Sequence, residues 1–164
     1  ILDGTVTGVQ TCALPISLDL IGRKTASSQG AGLKLMLAEI EAFAKEHEGN
    51  EALAEFIGPL RAKAAEWGKL TLDVLQRAAG NPDELGAASY DYLFYSGYVV
   101  LAYWWARSVA AADASAHGAA FAQGKRETAR FYFARVLPRT LSHAAAIQAG
   151  AAPLMAMDDE RFGA

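Results

Sequence analysis

The chain is expected to fold as an all-α, four-helix, up-down-up-down bundle with long helices and a short C-terminal tail, and three observations lead there. No stretch shows the apolar-polar alternation of a half-buried strand. Four long stretches repeat apolar residues at helical spacing and are joined by short connections. Residues 90–107, reading YDYLFYSGYVVLAYWWAR, hold eight of the chain's sixteen aromatic side chains. A helix apolar on every side must be enclosed by others, which makes this one the expected centre of the bundle. Trp104, with Val100 or Leu101 beside it, is expected to be nearly inaccessible, and Trp105, about 100° further round, less buried.

A membrane span is the rival for that helix. The uncharged run between Asp91 and Arg107 is 15 residues long and is interrupted by Ser96 and Gly97, whereas spanning needs about 20 apolar residues. With 164 residues, 52% hydrophobic and 20% charged, the chain can bury the core of one ordinary domain. A net charge of -3 argues against nucleic acid or anionic lipid as the main partner, since both are bound by concentrated Lys and Arg. One cysteine, Cys12, cannot build a disulfide framework, and no charged-then-apolar leader opens the sequence, so a reducing cytoplasm is the expected compartment.

In chain order, residues 6–16, VTGVQTCALPI, share neither composition nor periodicity with the rest of the chain. They are similar to the peptide encoded by one frame of a common sequencing adapter, so residues 1–17 are read as a non-native leader and Cys12 is given no role. Such a segment is expected to make few contacts with the bundle. Residues 18–29 read as a helix end, LDLIGRK, running into a Ser/Gly connection, and the bundle domain is placed at 30–164. Leu33, Met36, Leu37, Ile40 and Phe43 form the apolar face of a first helix ending at Gly49. Asn50 caps a second, whose stripe runs through Leu53, Phe56, Leu60, Trp67 and Val74 to about Ala79, with Pro59 expected to kink or break it. Gly80, Asn81, Pro82 and Glu84 then supply a stop, a cap, a first helical residue and a capping-box acid. A third helix is expected from Pro82 to about Ala116 and a fourth from about Ala119 to Ala149, with a kink at Pro138 and a stop at Gly150.

Chemical motifs are sparse. The residues three before His47, His117 and His143 are Ala44, Ala114 and Thr140, which removes the Glu-x-x-His pattern of a di-iron bundle. Phosphate loops, nucleophile elbows and zinc-protease motifs are missing too. Ser142 and His143 are neighbours on a helix and cannot face each other, so they are not a catalytic pair. Tyr90, Tyr92, Tyr95, Tyr98 and Tyr103 are expected at the rim of the bundle with hydroxyls reaching solvent or a carbonyl, the alternative being a ligand cavity. Arg126, Arg130, Arg135 and Arg139 read as a solvated helix with Glu127 nearby rather than a phosphate grip. His117 reads as structural. No residue is assigned a catalytic, cofactor-binding or metal-binding role.

Four stretches carry a family resemblance: residues 18–24 (LDLIGRK), 90–107, 130–139 (RFYFARVLPR) and 154–162 (LMAMDDERF). Together they resemble the C-terminal region of acyl-CoA dehydrogenase-like flavoproteins, in the long subgroup with an extra helical domain. The resemblance implies an FAD-dependent oxidoreductase of fatty acid metabolism as the parent, with acyl-CoA bound through upstream domains and homo-oligomers expected. It also implies that residues 18–29 link to a missing dehydrogenase domain. The family's catalytic carboxylate lies in a Tyr-Glu-Gly-Thr motif where this chain has Leu2-Asp3-Gly4-Thr5. The base is not carried over to Asp3, nor the family's Gly-Ile-Gln to Gly8-Val9-Gln10.

These readings leave two function classes. The first is a C-terminal structural and interface domain of such a dehydrogenase, a fragment without catalytic base or flavin pocket and inactive alone. The second is a stand-alone helical module whose groove beside the aromatic helix takes a small ligand or a partner helix.

Overall fold

The computed structural model describes residues 15–157 and 159–163, and every regular element among them is helical. The expectations placed on Cys12, Asp3 and residues 8–10 lie outside the described residues. A π-helical segment, Asp19–Ala26, is followed by α1 (Ala31–Glu46), α2 (Glu51–Ala78), α3 (Asp83–Asp113), α4 (Ala119–Phe131) and α5 (Thr140–Ala149). A π turn over Tyr132–Val136 and a 3₁₀ turn over Leu137–Arg139 join α4 to α5, and two one-turn helices, Ala152–Met155 and Asp159–Phe162, close the chain. No helix among the described residues is long and apolar enough to cross a membrane.

Local chemistry sets the boundaries. Asn50 Oδ1 accepts a hydrogen bond from the Ala52 amide at 3.0 Å, satisfying one of the orphan donors at the start of α2. Asn81 Oδ1 does the same for the Asp83 amide at 3.1 Å. Gly30, Gly49, Gly118 and Gly150 adopt positive φ at helix ends, where a side chain would be strained. Glu84 departs from its expected capping role: its carboxylate turns to Arg77 and to the Ala151 amide.

Polar pairs tie the long helices to one another. Glu41 on α1 meets Arg61 on α2 at 3.0 Å. Along α2 and α3 the pairs are Arg77 with Glu84, Thr71 with Tyr92 and Lys63 with Tyr95. Asp113 at the end of α3 meets Arg126 past the middle of α4, and Asp91 near the start of α3 meets His143 on α5. α3 lies at the centre of this packing, against α2, α4, α5 and the π-helical segment.

Two expectations are corrected. Pro59 does not break α2, which is continuous from Glu51 to Ala78. Gly58 and Pro59 both lie on its exposed side, where water can satisfy the carbonyl that proline leaves free. The fourth pattern is not one helix from 119 to 149 but α4 and α5 separated by π and 3₁₀ turns. Pro138 cannot donate to the preceding turn, and the register widens before it and tightens around it. In residues 18–29 the helical part ends at Ala26 and gives way to turns at 27–30; Ile21 is fully buried in the core and Thr25 Oγ1 donates to the Leu20 carbonyl at 2.7 Å. Ser17, assigned to the leader, is also buried, with its hydroxyl 3.5 Å from that of Ser89.

Candidate functional site

The surface and interior of α3 collect the side chains that chemistry could use. Tyr92 and Tyr95 are fully buried and Tyr103 nearly so, Tyr98 is half-buried, and Tyr90 is 52% exposed. The rim placement therefore holds for Tyr90 and Tyr98 and fails for the other three. The Tyr92 hydroxyl is 3.0 Å from Thr71 Oγ1. The Tyr95 hydroxyl lies 3.2 Å from the Lys63 carbonyl and donates to Glu66 Oε2 at 2.8 Å. Burial, then Glu66, pushes the Tyr95 phenol well above its ordinary value. Burial pulls the Glu66 carboxyl up, but the Lys63 ammonium and the Tyr95 hydroxyl outweigh it and hold Glu66 below its ordinary value. These phenols lock α3 to α2, with their polar ends satisfied inside the helix pair.

Trp104 contradicts its expected burial: it is 53% exposed and Leu101 50%. Val100 and Trp105 are half-buried and pack on the core. The buried face of α3 instead carries Tyr92, Tyr95, Val99, Ala102, Ala106 and Val109. Small residues there let α2 and α4 approach closely, while Tyr90, Leu101 and Trp104 turn outward and Phe94 lies at the edge facing α5. Arg107 lies over the Trp104 ring at 5.3 Å and donates to the Tyr103 hydroxyl at 3.2 Å.

Between α3 and α5, His143 Nδ1 lies 2.7 Å from Asp91 Oδ1. Its ring stacks on Phe94 with centroids 5.5 Å apart and an 11° interplanar angle. An acid that orients an imidazole is half of a general-base arrangement. The neighbouring hydroxyl does not complete it, since Ser142 Oγ donates to the Arg139 carbonyl at 2.9 Å. The pair fastens α5 to α3. Sequence reasoning missed it because its members are 52 positions apart on different helices.

A cleft of about 380 Å³ opens between α1 and α3, lined by Glu39, Phe43, Glu46, His47, Tyr103 and Arg107 among others. Its floor is an aromatic run in which Phe43 meets Tyr103 edge-on at 5.7 Å. No group of three or more His, Cys, Asp or Glu side chains among the described residues could hold a metal ion. The arginine set divides: Arg126 pairs with Asp113 at 2.9 Å and Arg130 with Glu55 at 2.8 Å. Arg135 and Arg139 are exposed. His117 is exposed at the end of α3 and packs on the Phe121 ring.

The cleft beside Tyr103 and the positive-φ glycines among the described residues do not fit a flavin dinucleotide. A pyrophosphate needs converging amide donors, but the positive-φ glycine nearest a charged group, Gly150, faces the Glu84 carboxylate at 3.0 to 3.1 Å from where its Cβ would lie. An isoalloxazine needs an enclosed apolar slot, and the cleft beside Tyr103 is rimmed by Glu39, Glu46 and Arg107. Of the two buried polar side-chain atoms without a partner among the described residues, Trp67 Nε1 lies in a tryptophan of the packed core.

Comparison with known proteins gives one family, described as acetyl-CoA dehydrogenase C-terminal like, whose pattern matches residues 36–158. No curated protein matches the chain.

Proposed function

The chain belongs to the acetyl-CoA dehydrogenase C-terminal-like family, and on that premise we propose that it is the C-terminal structural and interface domain of an FAD-dependent, acyl-CoA dehydrogenase-like oxidoreductase. The observation that carries this reading is the family match itself, which runs from early α1 past α5 and so covers nearly the whole helical unit. In this proposal α1, α2, α3 and the broken α4–α5 leg form an up-down-up-down bundle carried by the cytoplasmic parent enzyme. The parent supplies flavin, catalytic carboxylate and acyl-CoA channel from upstream domains, and oligomerises. The fragment supplies none of these and is inactive alone.

The misfit between that cleft and those glycines and a flavin dinucleotide supports the division of labour, and so does the use of the helices' apolar faces for the core. The reading frame of the source gene tests it. A dehydrogenase body fused in frame ahead of Leu18 is the expected result, and a start codon near Ser17 would overturn it. A second reading, a stand-alone module binding a small ligand, is favoured by the cleft between α1 and α3.

A further inference from the structure

The outward face of α3 has a regularity of its own. From Tyr90, the residues Phe94, Gly97, Leu101, Trp104 and Ser108 succeed one another at alternating steps of four and three, the repeat of a coiled-coil seam. Ala87 and Ala111 extend it one step at each end, so no charge interrupts it over about 36 Å at about 1.5 Å per residue. Tyr90, Phe94, Leu101 and Trp104 are 40 to 53% exposed, and half-buried Leu93, Val100, Tyr98 and Trp105 widen the strip.

We propose that this seam is a self-association surface, on which a second copy of the chain lays its own α3 antiparallel across a two-fold axis near residue 99. The inference rests on the reading of this domain as an interface element and names the face and its partner. A 3.5-residue repeat fits another helix rather than a loop or a small ligand.

The seam is complementary to itself in size when run antiparallel. The register then sets Leu101 over Gly97 of the other copy and Tyr90 over Ser108, a large side chain meeting a small one, with Phe94 against Trp104, ring meeting ring, and the two small residues Ala87 and Ala111 together at the ends. A two-fold axis produces each of these contacts twice. Charge selects the same direction. Arg107, the cation beside the seam, lies about 24 Å along the axis from its mate in the antiparallel pair and next to it in a parallel one. The area covered is roughly 400–500 Å² per copy against about 800 Å² for a standard stable interface, so the pair is reversible.

Sedimentation of the purified chain from about 1 to 500 μM tests this. The mass doubles across that range, Leu101→Glu raises the dissociation constant at least tenfold, and Leu141→Glu, 61% exposed but off the seam, leaves it unchanged. Circular dichroism confirms that both variants fold. In a Cys12→Ser background, Val100→Cys cross-links the two copies under mild oxidation, while Ala111→Cys, about 36 Å from its mate, does not. A monomer throughout, a dimer indifferent to Leu101→Glu or lost with Leu141→Glu, or cross-linking through Ala111→Cys in place of Val100→Cys would each overturn the proposal. Parentage is tested by the reading frame and the seam by sedimentation, so either can fail alone.

Discussion

Arg77 Nε donates to Glu84 Oε2 at 3.0 Å, and the same two side chains reach a third helix: Arg77 Nη2 donates to the Ile147 carbonyl at 2.7 Å, and Glu84 Oε1 accepts from the Ala151 amide at 3.1 Å. The end of α2, the start of α3 and the end of α5 are thus tied by one largely buried ion pair. Glu84→Ala leaves Arg77 Nε and the Ala151 amide without their acceptor, while the Arg77 bond to the Ile147 carbonyl remains, and should cost about 1–3 kcal/mol. Arg77→Ala should cost a similar amount, and the double variant clearly less than the sum. Urea melts of the four proteins give the coupling, and additive losses would show that the pair does not act as a unit.

Gly150 is part of the same knot. Its φ is +71°, and a Cβ there would lie 3.0 Å from Glu84 Oε2. Gly150→Ala should therefore destabilise by about 1–3 kcal/mol through backbone strain and displacement of the carboxylate. Combining it with Glu84→Ala should remove the contact part of that loss and leave the strain, which thermal melts can separate.

Core weight should track observed burial rather than aromatic content. Phe56→Ala, at a position 1% exposed against the Phe133 ring, should cost about 3–5 kcal/mol. Trp104→Ala, at 53% exposure, should cost less than about 1 kcal/mol when melted at monomeric dilution. The reverse order in denaturant would place Trp104 inside the core.

These contrasts show what could be read from the sequence. The ends of α2 and the start of α3 were legible because Asn50 and the Asn81-Pro82 pair act within one turn of themselves. The inward faces of α1 and α2 were legible because their apolar residues form a stripe. α3 hid its orientation: a helix apolar all round has no stripe, so Trp104 and Trp105 exchanged their expected places. The Asp91–His143 pair and the Glu84 knot depend on helices meeting across 52 and 67 positions, and no local pattern announces them. Half of the arginine set, Arg126 and Arg130, proved to be cross-helix ties for the same reason.

Tyr95→Phe should remove the hydroxyl shared with Glu66 and cost about 1 kcal/mol at neutral pH. The folded-state pKa of Glu66 is lowered from 4.5, so its contribution is fully present above that value and is lost as pH falls through the lower folded value. The variant should lose less stability on acidification than the parent chain, and the two curves should approach each other as pH falls through the lowered folded-state value of Glu66. Parallel curves from pH 7 to 3 would show that Tyr95 does not hold Glu66 ionised.

The central claim is that this polypeptide is the structural, flavin-free end of a dehydrogenase. The most direct measurement is the visible spectrum of the purified chain after incubation with excess FAD and gel filtration. The expected result is a colourless protein that gives no turnover with acyl-CoA and a dye acceptor, since dehydrogenation needs a placed carboxylate base and an enclosed isoalloxazine. A yellow protein carrying flavin in stoichiometric amount would contradict the claim and make the cleft beside Tyr103 and Arg107 a cofactor site.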